Sequence, residues 1–377
     1  THEYLGGKRA YNITSTLKLK GKLNEFLLEK AFQKVIARHE SLRTIFRKDE
    51  NDQIQQYILT SDEVHFKLQK ASLQHFSVQQ LHNRIKLEYL NTFDLKKGPL
   101  LRGTLLKTNE EEHILVFVLH HIIGDGWSLQ LLTREVMLAY NSLASAAEIH
   151  LPELPLQYKD YSEWLNKKLI SDEYNEKLAF WKEQFKTKSP SLELIINKRP
   201  AVKTYNGCIH NHEFSKKFLG ELNAFAKEQQ MTIFMLLMGS LNGLFYKYTG
   251  QTDITLGTTA AGREHTDLEH QIGLYSNALA IRTKFDKGDS FLELMQKQKH
   301  TLIKAYENKE YPFTALVNHL KPAKDQSRSA LFDIMVLLQN HQGLEINDQK
   351  GISGITASEY NEIERGVSQL DISFVFV

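Results

Sequence analysis

The chain has 377 residues, which is long for a single hydrophobic core and predicts two domains of similar size. A hydrophobic content of 41%, a charged content of 24% and a net charge of +2 are typical of a soluble globular protein and exclude a strongly basic surface for nucleic acid or anionic membranes. The single cysteine, Cys208, excludes an internal disulfide framework, and no apolar run approaches the roughly 20 residues of a membrane span. We therefore expect a cytoplasmic protein that is monomeric as an isolated domain.

The first third of the chain alternates between strand and helix patterns. Residues 15–20 alternate apolar and polar side chains as a half-buried strand does, and residues 23–38 carry apolar side chains at helical spacing. Residues 42–46 and 54–59 flank a polar turn and predict a β-hairpin. An unbroken apolar run at 114–119, rich in Val and Ile, predicts a strand that is buried on both faces.

Two histidines end this apolar run, and a glycine-rich turn follows them. The stretch reads His120-His121-Ile122-Ile123-Gly124-Asp125-Gly126-Trp127-Ser128. We expect a turn through the two glycines and a helix that restarts at Ser128, a residue type favoured at helix N-caps. Titratable groups at the end of a buried strand cost free energy unless they find partners, so this stretch is the first candidate for a functional site.

Chemistry alone leaves three interpretations of the histidine pair open. In the first the pair binds a metal, but adjacent strand residues point to opposite faces and no second ligand cluster has metal-binding spacing, so we predict no metal. In the second the pair is structural and lies in the core beside a turn aspartate. In the third one histidine is a base at the end of a sheet, and Asp125 organises the turn.

The composition of the chain changes near its middle. Residues 188–203 contain two prolines and isolated charges, and we predict that they form a crossover between an N-terminal lobe, 1–187, and a C-terminal lobe, 204–377. Residues 208–214 predict the first strand of the C-terminal lobe, and residues 370–377 predict its last strand.

Motifs in order along the chain resemble one family. His120 to Gly126 fits the HHxxxDG motif of condensation domains of nonribosomal peptide synthetases, which are relatives of chloramphenicol acetyltransferase. Further segments are similar to family motifs, namely 38–44 (RHExLRT), 158–164 (YxDYxxW), 272–279 (IGxFVNTL, with Tyr275, Ser276 and Ala278 as departures), 311–313 (YPF) and 327–333 (SRxPLFD, with Ala330 in place of proline). From residue types alone, segment 158–164 predicts only an aromatic helix packed on a core. The family's opening SxAQxRLW stretch and final helices are absent, so we expect both ends to be truncated.

The resemblance implies a fold class and a reaction. The implied fold is mixed α/β, with two chloramphenicol acetyltransferase-like lobes in a V-shaped pseudo-dimer around a central tunnel. The implied reaction joins a donor acyl or peptidyl thioester to the amine of an acceptor aminoacyl thioester. Both substrates hang on phosphopantetheine arms, and the domain itself is expected to bind no cofactor. The implied partners are the donor and acceptor peptidyl carrier proteins and an adjacent adenylation domain of a multidomain synthetase.

The same resemblance implies roles for individual residues. His121 is the implied catalytic residue, and His120 is its structural neighbour. Asp125 is expected to pair with an arginine of the second lobe, for which Arg263 is the first candidate and Arg282 the second. The residues expected around the substrates are Gly124, Gly126 at the acceptor entrance, Trp127, Ser128 and Asn277.

Other functions of the same superfamily differ at specific positions. Heterocyclising members replace the leading histidines with aspartate, and His120 argues against that function. Epimerising members place Trp after Ser in this motif, whereas Trp127 precedes Ser128 here. A single-lobe acetyltransferase would be shorter, and plant-type acyltransferases need a DFGWG element that this sequence lacks. A catalytically inactive platform for docking carriers, or a related epimerisation domain, is the alternative to condensation.

Overall fold

The computed structural model describes residues 7–194, 199–323, 325–339, 354–360 and 362–377. The helices in these ranges are α1 (Glu25–Arg38), α2 (Val78–Leu90), α3 (Gly126–Ala144), α4 (Tyr158–Lys168), α5 (Asp172–Gln184), α6 (Lys216–Glu228), α7 (Ile233–Thr249), α8 (Phe291–Glu307) and α9 (Phe313–Leu320). The strands are β1 (Asn12–Lys20), β2 (Thr44–Lys48), β3 (Ile54–Ile58), β4 (Gln69–Ser72), β5 (Leu101–Asn109), β6 (Glu112–His120), β7 (Asp253–Ala260), β8 (Asn277–Lys284), β9 (Ile334–Leu338), β10 (Thr356–Glu359) and β11 (Ile372–Phe376). None of the helices in the described ranges is both long enough and apolar enough to cross a membrane.

Contacts within the chain group it into two compact units. The first unit takes the described residues within 1–165, 263–275 and 341–369, and the second takes those within 166–262, 276–340 and 370–377. The lobe limits inferred from the sequence, 1–187 and 204–377 with a crossover at 188–203, stay a prediction. Residues 195–198 of that crossover lie outside the described residues.

The first unit is built around the central strand β6. Its sheet has the order β10-β1-β6-β5-β4, and β6 pairs antiparallel with both β1 and β5. Every residue from Ile114 to Leu119 is at most 1% exposed, which confirms the predicted strand buried on both faces. Strand β1 begins at Asn12, earlier than the predicted 15–20, because its first inward-facing residues, Asn12 and Thr14, are polar and an apolar alternation does not detect them.

Two further predictions in the first unit concern local elements. Strands β2 and β3 pair antiparallel around the polar turn, which confirms the predicted hairpin, although residues 40–43 form a 3-10 turn and β2 starts only at Thr44. Helix α1 confirms the helix predicted at 23–38 and begins at Glu25, because Asn24 caps it by accepting a hydrogen bond from Leu27 N–H.

The second unit contains a four-stranded sheet of order β11-β9-β7-β8. Strand β11 lies within the predicted strand 370–377 and pairs parallel with β9, which confirms that prediction. The strand predicted at 208–214 is wrong. Its residues are exposed and in irregular conformation, because a strand forms only where its backbone groups find a neighbouring strand, and a short stretch of sequence does not supply one.

Candidate active site

The turn after β6 places Asp125, rather than Ser128, at the N-cap of α3. Asp125 has an extended backbone, and its Oδ1 accepts a hydrogen bond from Ser128 N–H at 2.9 Å. The predicted N-cap at Ser128 is therefore wrong. Aspartate caps helices as well as serine does, and its negative charge is also stabilised by the helix dipole, so the helix starts directly after the aspartate.

The carboxylate of Asp125 is buried and forms an ion pair with Arg263. Arg263 Nη1 lies 2.9 Å from Asp125 Oδ2, and Nη2 lies 3.3 Å from Oδ1. The backbone N–H of Tyr275 also donates to Oδ2, at 3.1 Å. The second sequence candidate, Arg282, pairs instead with Asp253, with 2.6 Å between Nη2 and Oδ2. Of the two arginines, the structure brings Arg263 to Asp125.

Ser128 joins helix α3 to the segment that carries Arg263. The Ser128 side chain is fully buried, and its Oγ lies 2.8 Å from Asp125 Oδ1 and 2.8 Å from the carbonyl oxygen of Gly273. Ser128 Oγ also accepts a hydrogen bond from Gly273 N–H at 3.1 Å and one from Arg263 Nη2 at 3.0 Å. These contacts place Ser128 inside the polar cluster around Asp125.

Trp127 covers one side of the same cluster. Its ring centre lies 5.7 Å from the Arg263 guanidinium, and its Nε1 donates a hydrogen bond to the carbonyl of Glu269 at 2.9 Å. The Trp127 side chain is 47% exposed. It therefore combines an anchored indole N–H with a ring that is partly exposed to solvent.

Three tyrosines surround the Arg263 side of the cluster, and sequence reasoning did not assign them to the site. The Arg263 guanidinium lies 4.2 Å from the ring centre of Tyr275, within cation–π range. Tyr158 meets Tyr275 edge to face at 5.2 Å and donates its hydroxyl to Leu274 O at 2.9 Å, and Tyr161 lies 4.7 Å from Tyr275. Burial raises the pKa of Tyr158 and of Tyr275, so both are neutral hydrogen-bonding groups. The aromatic motif at 158–164 is the sequence feature that could have indicated these tyrosines. Its partner, Tyr275, lies more than a hundred residues further along the chain, so the sequence does not show the contact.

His120 ends β6 as a buried neutral imidazole. Its Nδ1 accepts a hydrogen bond from Ile122 N–H at 3.1 Å, and its ring packs nearly perpendicular to that of Phe93, with 6.0 Å between ring centres. Burial, together with the neighbouring His121, lowers the pKa of His120 to about 4. His120 is therefore uncharged at neutral pH and stabilises the start of the turn.

His121 leaves the strand and opens a short 3-10 turn, His121–Ile123. It is half-buried, whereas His120 is only 5% exposed, so the two neighbours occupy different environments. Across the described part of the chain, no three His, Cys, Asp or Glu side chains form a group that could hold a metal ion. Of the two histidines, His121 is the more exposed to solvent.

The two glycines of the turn differ in their surroundings. A Cβ added to Gly124 would lie 2.5 Å from Leu119 Cδ2 and 3.1 Å from the Cβ of Ser128, so the backbone here passes too close to its neighbours for a side chain. A Cβ added to Gly126 would meet nothing within 4 Å. A side chain at Gly124 would thus have to displace Leu119, whereas Gly126 borders open space.

Asn277 lies in the second unit, where its side chain binds backbone groups. Its Nδ2 donates to the carbonyls of Lys309 and Tyr311, both at 2.8 Å, and its Oδ1 accepts from Phe313 N–H at 2.9 Å. The amide therefore holds the segment that carries Tyr311-Pro312-Phe313, and these contacts account for its two donors and one acceptor position.

Solved structures define the class of fold. The chain superposes with a TM-score of 0.85 on the X-domain from teicoplanin biosynthesis, at 22% identity over 98% of this chain and 81% of that chain. The first condensation domain of the calcium-dependent antibiotic synthetase gives a TM-score of 0.77 at 16% identity, over 99% of this chain and 84% of that one. The protein therefore has the mixed α/β, chloramphenicol acetyltransferase-like fold of condensation domains, as the sequence predicted.

The family follows from sequence. The sequence model described as "Condensation domain" matches residues 1–376, and the chain belongs to this family. It is 37% identical to bacitracin synthase 3 of Bacillus licheniformis over 369 residues, which are 97% of this chain. It is 36% identical to gramicidin S synthase 2 of Brevibacillus brevis over 332 residues, which are 88% of this chain. The chain spans only 6% and 7% of the length of these two relatives. The predicted family, the condensation domains of nonribosomal peptide synthetases, is confirmed.

Proposed function

We propose that this domain forms an amide bond between a donor acyl or peptidyl thioester and the amine of an acceptor aminoacyl thioester. The observation that carries the proposal is the half-buried His121, which stands on a short turn between two buried groups, His120 before it and Asp125 after it. The sequence similarity to synthases named for bacitracin and gramicidin S supports the same reaction class.

The reaction needs positioning more than it needs a strong base. The amine nitrogen attacks the thioester carbonyl carbon, the C–S bond breaks, and the donor thiol leaves with the proton that the amine gives up. An α-amino group has a pKa of about 7.7–8.0, so a useful fraction is already neutral at about pH 7. Holding amine and carbonyl at attack distance can supply about 7–11 kcal/mol, which is the larger part of the task.

His121 is the residue proposed to touch the reacting atoms. It accepts the proton from the zwitterionic tetrahedral adduct, or it donates the hydrogen bond that orients the amine. Asp125 is a poor candidate for the base, because both of its carboxylate oxygens already accept hydrogen bonds from Arg263 and from backbone or serine donors. We therefore assign Asp125 and Arg263 to bracing the turn, with His120 as its buried anchor.

The proposed partners are a donor and an acceptor peptidyl carrier protein, each with its substrate on a phosphopantetheine arm, and an adjacent adenylation domain. Tethering within one synthetase raises the effective concentration of such partners to about millimolar. Weak and transient docking is therefore enough for turnover.

Intact-protein mass spectrometry of loaded carriers tests the proposal. The domain is mixed with a donor carrier that bears an acyl or aminoacyl thioester and an acceptor carrier that bears an aminoacyl thioester. A gain on the acceptor equal to the mass of the donor acyl group is the expected result. A donor that returns to its free-thiol mass with no gain on the acceptor indicates hydrolysis, and unchanged carriers indicate a docking platform. An acceptor or donor residue that changes configuration without a change in mass, detected by chiral analysis, indicates epimerisation.

A further inference from the structure

Two buried polar atoms on neighbouring strands have no hydrogen-bond partner among the described residues, and the first belongs to Asn12. The Asn12 side-chain nitrogen donates to the carbonyl oxygens of Tyr89 and Asn91, both at 2.8 Å. Because carbonyl oxygens can only accept, these two contacts fix which end of the amide is the nitrogen. Its oxygen, Oδ1, is buried and finds no hydrogen-bond donor among the residues that the structure describes. Asn12 thus offers a buried acceptor of known position.

The second atom is Nε2 of His120. Because the backbone N–H of Ile122 can only donate, the Nδ1 that accepts from it carries no proton. The ring is neutral at neutral pH, since its pKa is lowered to about 4 by burial and by His121, and so the single ring proton resides on Nε2. Nε2 is buried and has no hydrogen-bond acceptor within the described part of the chain. His120 thus offers a buried donor.

The strand register places the acceptor and the donor together. Asn12 of β1 lies directly opposite His120 of β6. Side chains of directly opposed residues point to the same face of a sheet, with Cβ atoms about 4.5–5.5 Å apart. A water molecule accepts and donates hydrogen bonds at once, and buried waters usually bind polar groups that would otherwise stay unpaired.

We propose that Asn12 and His120 hold one buried water molecule between them, and that Asn12 is a positioning residue for the condensation reaction proposed above. Ile122 N–H donates to His120 Nδ1, His120 Nε2–H donates to the water, and the water donates to Asn12 Oδ1. They lock the tautomer and the rotation of the His120 ring. Ile122 lies in the turn that begins at His121. The same hydrogen bonds therefore also orient His121, the residue proposed to touch the reacting atoms.

The His120 ring also packs against Phe93. The two rings are nearly perpendicular, with an interplanar angle of 89°, and the Arg102 guanidinium lies 3.8 Å from the centre of the Phe93 ring. Arg102 also donates to the carbonyls of Asn91 and Thr92. Asn91 O therefore accepts from both Asn12 and Arg102, which ties these two residues to the C-terminal end of α2.

The wild-type domain alone tests the water site. A crystal structure at a resolution that shows ordered water is expected to place one within about 2.7–3.2 Å of both Asn12 Oδ1 and His120 Nε2. In ¹⁵N NMR spectra of histidine-labelled protein, His120 is expected to show a protonated Nε2 and an unprotonated Nδ1 between about pH 5 and 8. A dry gap, a direct Asn12–His120 hydrogen bond or the opposite tautomer would each overturn the proposal. Neither measurement depends on turnover, so a failure of the proposed condensation activity is seen separately in the carrier assay.

A pair of variants separates positioning from general stabilisation. Asn12→Ala removes the acceptor that faces His120 and also the bonds to α2. Thr16→Val, on the same strand, removes the hydrogen bond to the Tyr89 hydroxyl of α2 and leaves His120 untouched. We expect both variants to unfold more easily, but only Asn12→Ala to alter the His120 ¹⁵N signals and to lower kcat, by about tenfold to a hundredfold with little change in KM. Equal effects of the two variants on kcat and on the signals would reduce Asn12 to a structural residue. If Asn12→Ala does not fold, the wild-type structure and spectra still decide the proposal.

Discussion

Asp125 and Arg263, 138 positions apart in the chain, form a two-point ion pair in which the side chains are only 5% and 1% exposed. The same carboxylate caps helix α3 and accepts from Tyr275 N–H. A charge in this environment is stable only with its partners in place, because burying either ion alone costs several kcal/mol. The pair therefore links the integrity of the turn beside His121 to a distant segment of sequence.

Breaking this ion pair is expected to destabilise the fold. Asp125→Asn leaves the Arg263 guanidinium buried without a counter-ion and should lower the free energy of unfolding by about 3–5 kcal/mol, measured by urea denaturation. The matched control is Glu307→Gln, which removes an exposed ion pair with Lys304 and should change stability little. An Asp125→Asn protein of unchanged stability that has lost only turnover would contradict the bracing role.

The two glycines of the turn should respond differently to the same substitution. Gly124→Ala places a methyl group against the fully buried Leu119 and is expected to cost about 1–3 kcal/mol, whereas Gly126→Ala enters open space and should leave the midpoint of thermal unfolding nearly unchanged. If Gly126 borders the acceptor entrance, Gly126→Phe should fold normally and raise KM for the acceptor carrier more than KM for the donor. Equal destabilisation by the two alanine substitutions would contradict this prediction.

The buried His120 predicts that stability declines in mild acid. The pKa of His120 is about 4 in the folded protein, and a histidine in an unfolded chain titrates near about 6.5. Between these two pH values the unfolded chain binds a proton that the folded chain does not. The free energy of unfolding therefore has its full value above about pH 6.5 and decreases as the pH drops towards about 4. The full difference corresponds to about 3 kcal/mol. His113, whose pKa is also lowered by burial, contributes with the same sign.

Urea denaturation across this pH range measures the effect. His120→Gln is expected to flatten the dependence between about pH 6.5 and 4 relative to the wild type, because the variant has no group there to protonate. A variant with the same pH dependence as the wild type would show that another group controls acid stability.

Replacing His121 should affect catalysis far more than folding. His121→Ala is expected to lower the condensation rate about 10²–10⁴-fold, measured by the mass gain of the acceptor carrier, with a circular dichroism spectrum like that of the wild type. His150→Ala, at an exposed loop position, serves as the control for a histidine away from the turn. Undiminished condensation by the His121 variant would remove this residue from the mechanism.

Asn277 offers a test between a substrate contact and a structural role. Its side chain makes three hydrogen bonds to backbone groups of residues 309–313, so Asn277→Ala should lower stability by about 1–3 kcal/mol. Asn308→Ala, which removes one side-chain bond to Lys304 O, is the control and should cost less. A change in KM for a carrier at unchanged stability would instead favour the expected position beside the substrates.

The elements that depend on local pattern could be predicted from sequence. Strand β6, helix α1 and the β2–β3 hairpin follow from runs of apolar residues, helical periodicity and a polar turn, and all three are present. The helix start at α3 was misplaced, because Asp125 and Ser128 are equally good caps and only the surrounding contacts select one. The strand predicted at 208–214 does not form, since a local stretch of sequence does not provide the neighbouring strand with which it would pair.

By itself the sequence determined the family and the identity of the residues in the turn, because motifs and apolar periodicity are properties of neighbouring residues. Tertiary structure decided which distant groups meet: Arg263 rather than Arg282 at Asp125, Tyr275 at Tyr158, and Asn12 opposite His120. The physical reason is that a buried polar or charged group is stable only beside a complementary partner, and the fold, not the spacing along the chain, brings that partner into reach.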